Sequence, residues 1–352
     1  MTETAIALTS GHYDTVFAKT THGLVRGPSR YPLRGVIDAR FAGCDAGMML
    51  DGLARNIPIF ASVAAAMDAL ATSPTHCIVG VATVGGLLPE DLYADLEAAA
   101  RAGLTLVNGL HQLIADDSGL AALAHEHGGG ILDIRRPRPA SELRFWSGEV
   151  LALPTPRVAV LGMDCAIGKR TTCMLVREAC RQRGIRAEMI YTGQTGWLQG
   201  LQHGFIFDAT LNDFVSGELE GAILTCQRDT DAELILMEGQ SALRNPSGPA
   251  GPEFLLSGAA HGVILQHAPQ RRYYEDFEDI SCRIPPVSEE IELIRLYGSE
   301  VWAVTLFTRG LSKKEARREQ RALAERLGIP VCLPVDDGVG PVVDVIQRKT
   351  GR

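Results

Sequence analysis

Short apolar runs alternate with stretches of helical spacing along most of this chain. Residues 34–38 (RGVID), 57–61 (IPIFA), 76–82 (HCIVGVA), 104–107 (LTLV) and 130–134 (GILDI) have the length and content of buried strands. Between them, 62–71, 89–102 and 120–127 are rich in Ala and Leu, with apolar positions three and four apart, which predicts helices. Pro89 can open its helix and Gly103 can close it. Strands alternating with helices imply a parallel sheet covered on both faces. The pattern then breaks at 135–156, where RRPRP and PTP suit an exposed connector. That places a boundary near residue 150, with one domain over 1–150 and another over 151–352. Alternation resumes with strands at 157–161, 187–191, 233–238, 262–267, 301–307 and 330–333. A helix is predicted over 169–183, ended by Gly184, and Ser312 with Glu315 forms a capping box for a helix that runs to Leu327. The fold class is α/β, with two doubly wound domains.

Composition narrows the function classes. The chain has 352 residues, 46% hydrophobic and 22% charged, with 34 Lys plus Arg against 42 Asp plus Glu, for a net charge of −8. A mildly acidic chain argues against nucleic-acid or anionic-membrane partners, while leaving room for a local basic pocket. The 8 cysteines form no C-x-x-C pair, and no secretory signal or long apolar run is visible. They are expected to be reduced and mostly buried in a cytoplasmic protein. A homo-oligomer is expected.

The sharpest chemistry lies in RVAVLGMDCAIGKRTTC, residues 157–173. An apolar strand runs into a Gly-bounded loop, and Gly168-Lys169 opens a helix. Loop amides and a helix N-terminus together make an anion site. Gly162, Asp164, Cys165, Ala166, Ile167, Gly168, Lys169, Arg170, Thr171 and Thr172 are the candidate phosphate-binding residues. The loop departs twice from G-x-x-x-x-G-K-[ST]: Gly162 lies six residues before Gly168, and Arg170 stands where a hydroxyl residue normally follows the lysine. This spacing resembles the dethiobiotin synthetase loop. Lys169 is expected to be an exposed loop side chain whose loss weakens ligand binding without harm to the fold.

Glu238 follows an apolar strand and sits where P-loop proteins place a carboxylate facing the phosphates. It is a candidate general base or, with Thr171, a magnesium ligand; a plain strand-ending residue is the alternative. Residues 192–196 (TGQTG) should reach the same rim. Asp213 precedes what reads as a Gly-containing loop and is a second candidate catalytic acid. The nearby Glu218 and Glu220 read better as a solvated helix face. His267 ends a strand and is a candidate base near neutral pH, with a structural role as the alternative. Arg271 and Arg272 suit a carboxylate or phosphate. In the first domain, Cys44–Gly47, Gly85-Gly86 and Asn108–His111 are turns expected to line one crevice, without a G-x-G-x-x-G fingerprint.

These segments, in order, resemble a two-domain P-loop family formerly of unknown function, whose N-terminal half is described as D-glutamate N-acetyltransferase-like. The resemblance is carried by KTTHGLVR at 19–26, VID at 36–38, DAG at 45–47, MDCAIGKRTT at 163–172 and TGQTG at 192–196. It continues through DFVSGELE at 213–220, EGQ at 238–240 and TRGL at 308–311. It implies a Rossmann-like N-terminal domain joined to a P-loop NTPase-like domain. It further implies acetyl transfer from acetyl-CoA to the amine of D-glutamate or a related D-amino acid, with CoA phosphates held by the loop. The candidate substrate-binding residues are Lys19, Arg26, Asp45, Gln194, Gln240, Asn245 and Arg271. One departure matters. The family commonly reads Glu-Gly-Gln-Gly-Ser-Leu-x-His-Pro, whereas 238–246 here is EGQSALRNP, with Asn245 at the histidine position. Asparagine cannot act as a base. The competing expectations are an ATP- and magnesium-dependent ligase or kinase acting on a small carboxylate or amine, and a non-catalytic nucleotide sensor.

Overall fold

The computed structural model describes residues 3–352. The chain divides into two compact units: Met1–Pro137 with Gln194–Gln202, and Arg138–Gly193 with His203–Arg352. Each carries a six-stranded sheet in which every pairing is parallel.

In the first unit the strands are β1 (Ala5–Leu8), β2 (Leu33–Ile37), β3 (Ile59–Phe60), β4 (His76–Val79), β5 (Thr105–Asn108) and β6 (Ile131–Asp133), in the order β3-β2-β1-β4-β5-β6. This is the Rossmann order, which reverses between β1 and β4. The five strands expected from the sequence are present, but the pattern missed β1, the central one. Its four residues are buried on both faces, so they show no alternation, and a run this short carries little periodic signal. KTTHGLVR, one of the segments that carry the resemblance, is the helix Lys19–Arg26. The expected helices form at Val63–Ala69, Glu90–Arg101 and Ser118–Glu126. Leu92, Leu96, Ala99 and Ala100 point into the core with Ile6, Leu8, Val79 and Leu106.

The second unit contains β7 (Arg157–Gly162), β8 (Ala187–Ile190), β9 (Leu234–Glu238), β10 (Gly262–His267), β11 (Val301–Leu306) and β12 (Val331–Cys332), in the order β12-β11-β10-β7-β9-β8. The six predicted strands are all here. β7 lies between β9 and β10 and is buried throughout, which explains the apolar run Val158–Leu161. Its loop leads into the helix Lys169–Gln182, whose Thr172, Cys173, Val176 and Cys180 face inward. The Ser312–Glu315 capping box is formed in both directions at the head of Lys313–Leu327.

Three expectations are corrected in this unit. Residues 138–156 are not a free connector but pack on the helix Val215–Thr230. Glu218 and Glu220 are not solvated: they are 8% and 2% exposed. Glu220 accepts from Ser147 N at 2.6 Å and Val150 N at 3.1 Å, and Glu218 accepts from Arg144 N at 2.8 Å and from Arg138. Buried carboxylates persist where backbone amides meet them. Nor is Gly217 in a loop. It is a helical residue, and a β-carbon there would lie 2.0 Å from the Arg144 carbonyl oxygen.

Among the described residues no helix is long and apolar enough to cross a membrane. The cysteines are free thiols, with Cys77, Cys173, Cys180, Cys226 and Cys332 buried.

Candidate active site

The site is assembled at the C-terminal ends of β7 and β9, where an open parallel sheet leaves its ligand crevice. The loop from β7 turns through Ala166 at φ +50° and Gly168 at φ +91°. The second value favours glycine and lets the chain enter the helix at once. A β-carbon on Gly162 would come within 2.9 Å of the Lys169 side chain, so that glycine makes room for the lysine to fold back over the strand end.

Lys169 is not an exposed loop side chain. It is 7% exposed, and its ammonium donates to the carbonyl oxygens of Asp164 at 2.6 Å and Ser241 at 2.7 Å. Its burial pushes the pKa down, while Cys165, Asp164 and Glu238 pull it back up. An ammonium has three N–H donors, and among the described residues these two carbonyls take two of them.

Glu238 ends β9 and is 5% exposed. Its carboxylate accepts from Thr192 N at 3.1 Å, and its carbonyl from Thr192 Oγ1 at 2.7 Å. Burial pushes its carboxyl pKa up, opposed by Arg170, the Thr192 amide and Lys169. This is the environment of a carboxyl group suited to take a proton. Gln240 Nε2 donates to Thr192 Oγ1 at 2.8 Å, so Thr192 ties the two together.

Asp164 is fully buried and faces away from any free role. It accepts from Cys165 N at 2.7 Å, Glu275 N at 3.1 Å and Arg271 at 2.7 Å. Arg271 also donates to the Cys165 carbonyl at 2.8 Å and to Glu275 at 3.2 Å. The pair braces the loop from the side. Thr172 donates to Gln266 Oε1 at 2.6 Å, as does Thr305 at 2.6 Å, which pins the helix to β10 and β11. Arg170 and Thr171 are half-buried beside it. Ile167 is buried, and Ala166 is exposed at the loop tip. Among the described residues no group of three or more His, Cys, Asp or Glu could hold a metal.

Cys165 is half-buried on the loop. Its Sγ lies 3.5 Å from Ser241 Oγ and 3.7 Å from Asn245 Nδ2. Asn245 is 1% exposed, and its Oδ1 accepts from Ser247 N at 3.0 Å and Ser247 Oγ at 2.9 Å, which turns the amide nitrogen toward the sulfur. Sequence reasoning missed Ser241, although it directly follows Glu238-Gly-Gln240 at a strand end.

The remaining candidates share none of these contacts. Asp213 is exposed in the turn Asn212–Phe214, ahead of a helix rather than a loop. His267 is half-buried at the end of β10, and its desolvation with the charge of Arg326 pushes its pKa down to about 4. It is therefore a neutral imidazole and a weak base, rather than one poised near neutral pH. Gln194 belongs to the first unit and packs directly on Gly109, so of 192–196 only Thr192 and Gly193 stay in the second unit. Lys19 and Arg26 are exposed on one helix, Arg26 facing Asp51 at 3.3 Å. Asp45 caps the helix Ala46–Asp51, accepting from Met48, Arg55 and Ile57 amides at 2.9, 3.1 and 2.9 Å. Burial pushes its carboxyl up, but those amides outweigh it and hold the pKa below the usual value.

Fold and loop together define a two-domain α/β protein, Rossmann-like in its first half and P-loop in its second. Residues 39–137 match the family described as "Domain of unknown function (DUF1611_N) Rossmann-like domain", and 144–343 match "Domain of unknown function (DUF1611_C) P-loop domain". The chain belongs to the DUF1611 family. It is 28% identical over 287 residues to a protein of Tritonibacter scottomollicae named "D-glutamate N-acetyltransferase", covering 79% of this chain and 83% of that one. A Pseudoalteromonas protein of the same name is 27% identical over 273 residues, covering 76% and 79%. The crystal structure of a DUF1611 family protein from Anabaena variabilis superposes with a TM-score of 0.88 at 29% identity, covering 98% of this chain and 100% of that one.

Proposed function

We propose that this protein is an N-acetyltransferase that moves the acetyl group of acetyl-CoA to the amine of D-glutamate or a related D-amino acid, with the phosphates of CoA held by the loop at 162–172. The observation that carries the reading is a buried anion loop with a proton-accepting carboxylate beside it, in a chain whose relatives bear that activity in their names. The acceptor amine must be neutral to attack a thioester, and Glu238 takes the proton it loses. The helix N-terminus at Lys169 and the lysine ammonium supply positive potential for phosphate oxygens or for the oxyanion of the tetrahedral intermediate, a type of stabilisation worth about 3 kcal/mol per donor. Arg271, braced against Asp164, holds the loop in shape.

A thermal-shift series with acetyl-CoA, CoA, ATP and ADP tests the donor, because a ligand that binds the native state raises its melting point. Acetyl-CoA and CoA are expected to give the larger shifts. Release of CoA thiol is expected on adding D-glutamate, with no nucleotide and no magnesium present. Product formation that requires ATP would replace this reading with the ligase or kinase one.

A further inference from the structure

Arg157 is the only arginine among the described residues that is nine-tenths buried, and no carboxylate meets it. We propose that its guanidinium is the floor of a second ligand site, which binds a small monocarboxylate with an apolar chain in a cleft at the opposite end of β7 from the phosphate loop.

Arg157 opens β7 and is 2% exposed. Its Nε donates to the carbonyl oxygens of Gly258 at 3.0 Å and Ala259 at 3.2 Å. Its Nη1 donates to those of Leu153 at 3.0 Å and Thr155 at 2.8 Å. These contacts tie residues 153–155 to the end of the short helix Glu253–Ser257. They use three of the five guanidinium N–H groups. The two on Nη2 are left, without a partner among the described residues.

The charge is also uncompensated. The half-buried Arg177, Arg244 and Arg271 face Glu188, Glu290 and Asp164 at 3.0, 2.7 and 2.7 Å. Arg157 has no such ion pair, and desolvation alone acts on its pKa, pushing it down. Carbonyl dipoles offset part of the cost of burying a cation, and an anion would offset more.

The cleft that Arg157 lines has a volume of about 470 Å³, within the roughly 300–1,000 Å³ of small-molecule sites. Leu151, Leu255 and Leu256 give it apolar walls, with Leu151 and Leu256 exposed at the rim. His261 lines it too. The Arg157 amide donates to His261 Nδ1 at 3.2 Å, and desolvation with the charge of Arg157 pushes the ring pKa down. The neutral ring therefore carries its proton on Nε2 and adds a third N–H donor to the cleft. One positive charge and three donors between apolar walls suit a monocarboxylate. One oxygen takes Nη2, the other takes Nε2, and the chain lies on Leu151 and Leu256. A phosphate dianion would bring a second charge that nothing in the cleft balances. β7 runs from Arg157 to Gly162, so this site and the phosphate loop lie about 17 Å apart along one strand.

The test titrates the full chain with hexanoate and with phenylpropanoate by calorimetry, and follows melting in parallel. Saturable binding of one ligand per chain is expected, with a rise in melting temperature. Hexanol, which has the chain without the charge, is expected to bind about tenfold more weakly or worse. Leu256→Asp places a carboxylate on the rim at an exposed position, and should cut hexanoate affinity by on the order of tenfold without unfolding the chain. Arg157→Met is expected to abolish binding, with melting to check its fold; if it does not fold, hexanol and Leu256→Asp decide. The site is overturned if neither carboxylate binds saturably, if hexanol binds as tightly as hexanoate, or if Leu256→Asp binds hexanoate with the original affinity.

Discussion

The two sheets are alike in size and strand direction, but they use the carboxylates at their strand ends differently. In the first unit Asp38, just past β2, is fully buried and accepts from Thr9 Oγ1 at 2.9 Å, Gly11 N at 3.0 Å, Tyr13 N at 3.0 Å and Arg40 N at 3.1 Å. Asp133, at the end of β6, likewise takes Asn108 Nδ2 at 2.7 Å, Ile114 N at 3.1 Å and Ala115 N at 3.0 Å. These groups fasten loops. In the second unit Glu238 meets one backbone amide, from Thr192, and lies within the field of Lys169 and Arg170. Burial alone therefore does not mark a reactive carboxylate. What separates the two cases is how many of its acceptor sites the backbone has already filled.

That contrast can be broken by substitution. Glu238→Gln keeps the shape and the Thr192 contact but cannot take a proton, so transfer is expected to fall on the order of 1000-fold in steady-state rate. Its melting behaviour should also change with pH. A carboxyl whose folded pKa is raised stabilises the fold fully below its unfolded pKa near 4.5, and that contribution is lost as pH rises through the folded value. Unaltered protein should therefore lose stability relative to Glu238→Gln across that window, as followed by urea unfolding. The opposite slope would mean that Glu238 is paired and ionised. Asp38→Ala is expected to cost the first unit about 3 kcal/mol in denaturant unfolding, by stranding buried amides. It should leave the affinity of the second unit for CoA unchanged.

Lys169→Ala should weaken CoA binding by about 30-fold in calorimetry, from the loss of a charge-assisted contact. Because the lysine is buried and satisfies two carbonyls, a fall in melting temperature should accompany it. The smallest effect is expected from Arg271→Lys, which keeps the charge but loses the fork joining Asp164 to the Cys165 carbonyl: about a threefold to tenfold rise in KM for acetyl-CoA, with kcat nearly unchanged.

The phosphate loop was legible because its signal is local. Strand, glycines, lysine and helix follow one another within 157–173, and backbone geometry alone forces amides and ammonium together. Most strands and the helix caps were readable for the same reason, since periodicity and capping act over a few residues. The strand β1 was not, because its place at the centre of a sheet is decided by β2 and β4 and not by its own four residues. Glu218 and Glu220 look like surface acids until 138–150 folds over them. The pairing of Cys165 with Ser241 and Asn245 joins positions 76 and 80 residues apart. Local pattern determined the elements, their order and the anion loop. Which carboxylates are buried, which are filled by amides and which side chains meet Cys165 depended on contacts distant in sequence, and those exist only once the sheets have formed.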